Sequence, residues 1–233
     1  AFTVEQFKDI SSPEIVKSND NYIFGCDICQ NVCPHNRKVD KNFEKLNAKV
    51  VGISGGDEKS KTSFCQKNDL KILLLSDTHS FIDDQILKFV KQADEVWHAG
   101  DVGSLHVTDT INKLKPLRAV YGNIDGNDAR SQFPLDNKFR IEEMTIWMTH
   151  IGGYPNKYHQ RVREELKKIK PSIFICGHSH ILKIQYDKKL NILHLNPGAA
   201  GKYGFHAVRT MLRFELDKGE IKNLEIIELA KKT

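Results

Sequence analysis

The 233-residue sequence predicts an α/β fold, a two-sheet α/β sandwich flanked by helices, with an irregular N-terminal extension. Three observations predict it. From Leu70 onward, short apolar runs of the kind that form doubly buried strands alternate with amphipathic helical stretches. Beyond Asn127–Asn137 the pattern changes to β-rich segments, so strands outnumber helices and a second sheet is needed to bury them. The patterned part is about 160 residues long, the size of one domain.

The elements follow in order. Lys71–Ser76 (KILLLS) is an apolar run, followed by Asp77-Thr78-His79-Ser80 and a helical stretch whose Ile82, Ile86, Phe89 and Val90 share one face. The unit recurs: Glu95–Ala99 reads as a strand, Gly100-Asp101 as its end, and a helix lies around Val107–Leu114. Leu117–Tyr121 is a third strand, ending at Gly122-Asn123-Ile124-Asp125. A loop is expected over Asn127–Asn137, a hairpin from Phe139–Ile141 and Thr145–Thr149, a loop at Gly152–Tyr158 and a helix near Tyr158–Lys168. The apolar run Ser172–Cys176 and strands at Leu182–Tyr186, Leu190–Leu195, Arg209–Leu216 and Leu224–Leu229 complete the domain, assigned to 71–233. Residues 1–47 are a cysteine-bearing segment without comparable periodicity, and 48–70, polar and glycine-bearing, read as a linker.

Composition narrows the class without naming a partner. With 39% hydrophobic and 28% charged residues, the chain is neither collagenous, low-complexity nor disordered. The net charge is +5, and because residues 1–70 carry 10 basic and 10 acidic side chains, all of it belongs to the second part. An excess this mild leaves nucleic-acid binding open. No apolar run approaches the roughly 18 residues that span a bilayer, and the N-terminus has no basic or hydrophobic leader regions, so a cytoplasmic protein without a membrane partner is expected. Homo-oligomerisation is left open. The chain begins at Ala1 rather than Met, as a fragment or processed product would.

The ionisable residues sit where the strands end: Asp77 and His79, Asp101, Asn123, His150, and His178 with His180. In open α/β sheets the carboxyl ends of neighbouring strands line one crevice, so residues spread over more than 100 positions can converge there. Gly100, Gly122 and Gly177 adjoin three of them and would let the backbone turn sharply beside an ion or phosphate. Two Asp, one Asn and four His, with no Cys, suit borderline divalent ions better than calcium or a structural thiolate zinc. Seven ligands exceed one tetrahedral ion and match two ions sharing a carboxylate. Manganese is the leading expectation, with nickel, iron, cobalt or zinc as alternatives. Single histidines outside this set, His98 and His194, are expected to be structural, His206 to lie at the surface, and Cys176 to be an inert core thiol.

Asp77-x-His79, Gly100-Asp101, Gly122-Asn123, His150 and Gly177-His178-Ser179-His180 resemble, in order and spacing, the five blocks of the calcineurin-like metallophosphoesterase superfamily. Asn196-Pro197-Gly198 further resembles its small bacterial and archaeal phosphodiesterase branch. The resemblance covers Lys71 to about Leu229 and implies the metallophosphoesterase fold. It implies that Asp77, His79 and His180 hold one ion, that Asn123, His150 and His178 hold the other, and that Asp101 bridges them. Asp101, Asn123 and His150 are then the catalytic residues, with a metal-bridged hydroxide attacking phosphorus in line on a small phosphodiester or phosphomonoester. Many members carry His after the Asn; here it is Ile124, as in the small phosphodiesterase branch. Asp125 is expected to orient a ligand from behind.

Cys26, Cys29 and Cys33, followed by Pro34, have the C-x₂-C-x₃-C-P spacing of the tail of a ferredoxin run whose first cysteine is absent, position 23 being Ile. The block Tyr22–Asn36 is similar to the second iron–sulfur motif of epoxyqueuosine reductase, a tRNA-modifying enzyme. These three residues are possible ligands of an incomplete iron–sulfur site, and a complete [4Fe–4S] cluster is not expected from this fragment, even with Cys65 as a substitute ligand. The leading expectation is therefore a metal-dependent phosphodiesterase. The alternatives are a catalytically weak binding scaffold of the same fold, as a retromer subunit resembles, and an accessory domain fused to a tRNA-modifying reductase.

Overall fold

A computed structural model describes residues 69–230 together with the backbone strand Lys49–Gly52. In chain order the elements are β1 (Lys49–Gly52), β2 (Leu70–Leu75), α1 (Asp84–Gln92), β3 (Glu95–His98), α2 (Leu105–Asn112), β4 (Leu117–Ala119) and α3 (Asn127–Gln132). They continue with β5 (Asp136–Ile141), β6 (Met144–Thr149), β7 (Gly153–Tyr154), β8 (Lys157–Tyr158) and α4 (Gln160–Ile169). The last are β9 (Ile173–Ile175), β10 (Leu182–Asp187), β11 (Ile192–Pro197), β12 (Val208–Asp217) and β13 (Glu220–Ala230). One mixed sheet has the order β1-β13-β12-β2-β3-β4 and the other β10-β11-β9-β6-β5, with β7 and β8 forming a separate hairpin.

The apolar runs are continuous because each strand is covered on both faces. In β2, Ile72 and Leu74 enter the core between the sheets, whereas Leu73 and Leu75 enter a second core under α1 and α2. The second sheet repeats the device: Ile146, Met148, Ile173 and Ile175 face the first sheet, and Trp147 and Phe174 pack against Val162 and Leu166 of α4. The result is four layers, helix, sheet, sheet, helix, with the two-sheet sandwich at the centre. Strands β2, β3 and β4 are mutually parallel, as are β6, β9 and β11, so the loops leaving each trio share one end. No helix among the described residues is long and apolar enough to cross a membrane.

Three stretches differ from the sequence expectation. Within the expected linker, Lys49–Gly52 pairs in parallel with Glu225–Glu228 as an edge strand. The β-branched pair Val50-Val51 favours extended backbone, and the long β13 offers it an unpaired edge. Inside the loop expected over Asn127–Asn137, residues Asn127–Gln132 form a turn and a half of helix, too short for periodicity to register. The Gly152–Tyr158 loop folds back as the β7–β8 hairpin. The cysteine segment 1–47, with Cys26, Cys29 and Cys33, lies outside the described residues, as does Cys65.

His98 and His194 are buried without exposure. Gly100 N–H donates to His98 Nδ1 (3.2 Å), so Nε2–H donates to Thr78 Oγ1 (2.9 Å), whose own proton goes to Val102 O (3.1 Å). His194 Nε2–H donates to Gly153 O (2.9 Å). Burial pushes the pKa of His98 down to about 4 and that of His194 down to about 3. In the unfolded chain both take up a proton near pH 6.5, so their contribution to stability is complete above that pH and is lost as pH falls towards 4. In chelator-containing buffer, denaturant unfolding should lose about 1.4 kcal/mol per pH unit for each histidine over this window. A flat profile between pH 6.5 and 4.5 would show that these rings titrate freely in the folded state.

Candidate metal centre

Seven of the strand-end residues were expected to converge, and the backbone that carries them is unusual. Asp77, His79, Asp101, His178 and His180 all have left-handed backbone, with φ of +54°, +47°, +53°, +70° and +56°. Asp and His tolerate that region better than most side chains, yet each such residue still costs about 1–2 kcal/mol. The strain is held by hydrogen bonds that carry the β2–β3 pairing past the strand ends. Asp77 N–H donates to Gly100 O (3.0 Å), His79 N–H to Asp101 O (3.0 Å) and Ser80 N–H to Val102 O (2.8 Å). From the second sheet Gly177 N–H donates to His150 O (3.0 Å), and the loop after β11 closes the ring through Gly201 N–H to Asp77 O (3.1 Å).

The side chains form two groups. Asp77, His79, Asp101 and His180 offer ligand atoms that all lie within 4.8 Å of one another, and so do Asp101, His150 and His178. Asp101 belongs to both. In the first group His180 Nε2 stands 3.2 Å from Asp77 Oδ1 and 3.2 Å from His79 Nε2. In the second, His150 Nε2 stands 3.2 Å from Asp101 Oδ1, and its ring is 5.3 Å from that of His178. Asp77 Oδ1 and His150 Nε2 are buried and, despite these approaches, have no aligned hydrogen-bond partner among the described residues. Atoms buried this way are costly unless something else satisfies them. The donor set, carboxylate oxygens and imidazole nitrogens converging on two points, fits two borderline divalent cations.

Electrostatics prepare most of the set as ligands. Burial alone would raise the Asp77 pKa, but the imidazoles of His180 and His150 and the Ser76 hydroxyl outweigh it and hold it at about 2. For Asp101, burial is likewise outweighed by His150 and the Ile124 N–H, so its pKa is also lowered. Burial pushes His79 and His178 down, favouring neutral rings with free lone pairs. His150 goes the other way: burial lowers its pKa, but the carboxylates of Asp101 and Asp77 and the Ala99 carbonyl raise it to about 8. Its Nδ1–H donates to Ala99 O (2.8 Å), so Nε2 is the nitrogen turned to the carboxylates.

Asn123 is exposed and is the least constrained of the seven, although the backbone on both sides of it touches Asp101. Ile124 N–H donates to Asp101 Oδ1 (3.2 Å), and a Cβ on Gly122 would collide with that same oxygen, so glycine is required for the close approach.

Several residues gain a role that sequence spacing did not reveal. Asp125 was expected to orient a ligand side chain; instead its buried carboxylate accepts from the backbone N–H groups of Val102 (3.2 Å), Gly103 (2.7 Å) and Gly122 (2.7 Å). It binds the loop after β3 to the loop after β4. Asn196 does the same on the other sheet, donating to Gly177 O (3.0 Å) and Ser179 Oγ (3.1 Å) while accepting from Gly198 N–H (3.0 Å). The motif Asn196-Pro197-Gly198 was its signal. His206, expected at the surface, is buried, with its ring 5.5 Å from His180 and its Nε2–H on Gly201 O (2.9 Å), because the loop after β11 folds inward over the first sheet's loops. Cys176 is buried beside His194, and burial raises its thiol pKa to about 12.

A model of the calcineurin-like phosphoesterase superfamily domain matches residues 70–219. A second family model, AhpC/TSA, matches residues 22–99, fewer than half of the chain, and its described part is strand β1 and the β2–α1–β3 unit of the first sheet. A protein of Methanothermobacter thermautotrophicus described as "Probable metallophosphoesterase" is 27% identical over 131 residues, which span 54% of this chain and 74% of that protein. A solved structure described as a novel archaeal phosphodiesterase is 25% identical, with a TM-score of 0.52 over 69% of this chain and 100% of that one. Vps29 of Entamoeba histolytica, solved in complex with zinc, shares the fold at 17% identity, with a TM-score of 0.55 over 70% of this chain and 100% of that one.

Replacing Asp125 tests the lacing of the loops. Asp125→Ala leaves three backbone donors without their acceptor and should destabilise the protein by about 3 kcal/mol in chemical denaturation, with Asp125→Asn costing about half as much. Equal stability of Asp125→Ala and the parent would remove the carboxylate from this role.

Proposed function

Because the chain belongs to the calcineurin-like phosphoesterase superfamily and is therefore a phosphoester hydrolase, we propose that it cleaves phosphodiesters at a centre of two divalent ions, manganese foremost. Asp77, His79 and His180 would hold one ion, and Asn123, His150 and His178 the other, with Asp101 shared. The observation that carries this reading is the membership of Asp101 in both close groups. Two ions bound there would polarise the phosphoryl oxygens and lower the pKa of a water molecule, so that no Ser or Cys nucleophile is needed.

The chain's own residues supply the rest. Asp101 and Asp77 are ionised, and their buried oxygens are fixed by the Ile124 and His178 N–H groups, at 3.2 Å in both cases. His150 is locked in one orientation by Ala99 O, which keeps Nε2 on the Asp101 side. Ile124, 47% exposed, has no proton to offer a departing alkoxide at the place following Asn123, so that proton comes from solvent and good leaving groups are favoured. The diester preference is supported by the archaeal phosphodiesterase of the same fold.

The test is hydrolysis of a chromogenic diester and the matching monoester by chelator-stripped protein across Mn²⁺, Ni²⁺, Co²⁺, Zn²⁺ and Mg²⁺. Turnover should return with manganese and favour the diester. Asp101→Ala should lower kcat/KM by about 10³-fold or more, since charge stabilisation by bound ions is worth several kcal/mol. Near-parental turnover of Asp101→Ala in metal-replete buffer would refute the shared-ligand assignment, and preference for the monoester would refute the diester assignment.

A further inference from the structure

The loop from Lys202 to His206 lies against His79 and His180 of the first ligand group and places the exposed ring of Tyr203 there. Gly204 lets it descend: at φ +117°, a Cβ would collide with His180 Nδ1, so the backbone passes over the imidazole only because this residue has no side chain. On one side of Gly204 the buried His206 anchors the loop through its ring contact with His180. On the other, the Tyr203 ring stands 4.9 Å from that of His79, tilted by 40°, and still has 70% of its surface exposed; Phe205 is 54% exposed.

Single exposed apolar side chains are ordinary on protein surfaces. Here one of the five large ones among the described residues, Tyr203, has its ring against a candidate ligand, His79, and a second, Ile124, belongs to the loop whose N–H grips Asp101. A phosphoryl group seated on Asp77, Asp101 and the histidines would have this tyrosine ring beside it. The ring is planar and, apart from its contact with His79, largely open to solvent. An alkyl chain gains most from enclosure on several sides, whereas a planar heteroaromatic ring needs only one exposed face to stack on. The neighbouring Lys202 adds positive charge to the same loop, with its ammonium 5.0 Å above the Phe81 ring.

We propose that Tyr203 forms a base-stacking subsite and that the substrates are nucleoside phosphodiesters. The inference rests on the phosphodiesterase reading and adds the class of alcohol that the site selects. Its test is calorimetric binding by the full chain loaded with Mn²⁺, using diester mimics, the methyl esters of the phosphonate analogues of adenosine 5′-monophosphate and of ribose 5-phosphate, in which a methylene replaces the 5′-oxygen. The adenosine analogue should bind more tightly by about 5- to 150-fold, the range expected for one base stacked on an aromatic ring. Tyr203→Ala should erase that preference while changing the affinity of the ribose analogue by less than about twofold, and Tyr203→Phe should retain it. Equal binding of the two analogues by the parent protein, or a preference that survives Tyr203→Ala, overturns the subsite. Hydrolysis of methyl 4-nitrophenyl phosphate, which carries no base, is followed in parallel. Turnover of that ester with no base preference overturns the subsite alone, whereas no turnover together with no phosphonate binding overturns the phosphodiesterase reading and the subsite with it.

Discussion

Two carboxylates buried side by side, Asp77 and Asp101, set the constraint on which the rest of the molecule depends. They are 0% and 2% exposed, each bears on the other as a like charge, and both are held in the ionised form. Charges removed from water in this way are tolerated only where opposite charge and hydrogen-bond donors converge on them. The protein supplies the donors from the backbone of Ile124 and His178 and part of the charge from His150. Four histidines from three loops face the same two oxygen pairs, an arrangement that a divalent cation on each side of Asp101 would balance.

Holding that cluster requires a rigid frame, and the frame is the pair of parallel strand trios. Five of the seven candidate ligands sit in left-handed backbone, a conformation that relaxes unless neighbouring structure fixes it. The fixing comes from hydrogen bonds that extend the β2–β3 pairing beyond the last strand residues, and from Asp125 and Asn196, each of which gathers three backbone or hydroxyl groups onto one side chain. Neither polar residue needs to touch an ion to matter. Each joins loops that leave different strands, so a disturbance at one would be felt at ligands on both.

The rim is built by different means. The loop after β11 crosses from the second sheet to the first, lays Gly204 on His180, and turns Tyr203 outward over His79. The rim thus leaves the second sheet, as do the loops carrying His150, His178 and His180, whereas Asp77, His79, Asp101 and Asn123 stand on loops of the first.

The sequence by itself determined the layered α/β class, the strand runs and the residue types of the candidate ligands. Those signals are local: KILLL must be covered on both faces wherever it lies, and Asp or His at a strand end remains polar whatever surrounds it. Six of the seven candidate ligands are brought into the two groups by the structure, and the exposed Asn123 lies beside them through the backbone flanking it. The short helix at Asn127–Gln132 and the edge strand at Lys49–Gly52 escaped because elements of six and four residues carry too little periodicity. Only the tertiary structure decided that Asp125 grips backbone rather than a ligand, and that His206 is buried while Tyr203 is not. These are relations between residues that are distant along the chain, and they exist only when two sheets meet and their loops close on one another.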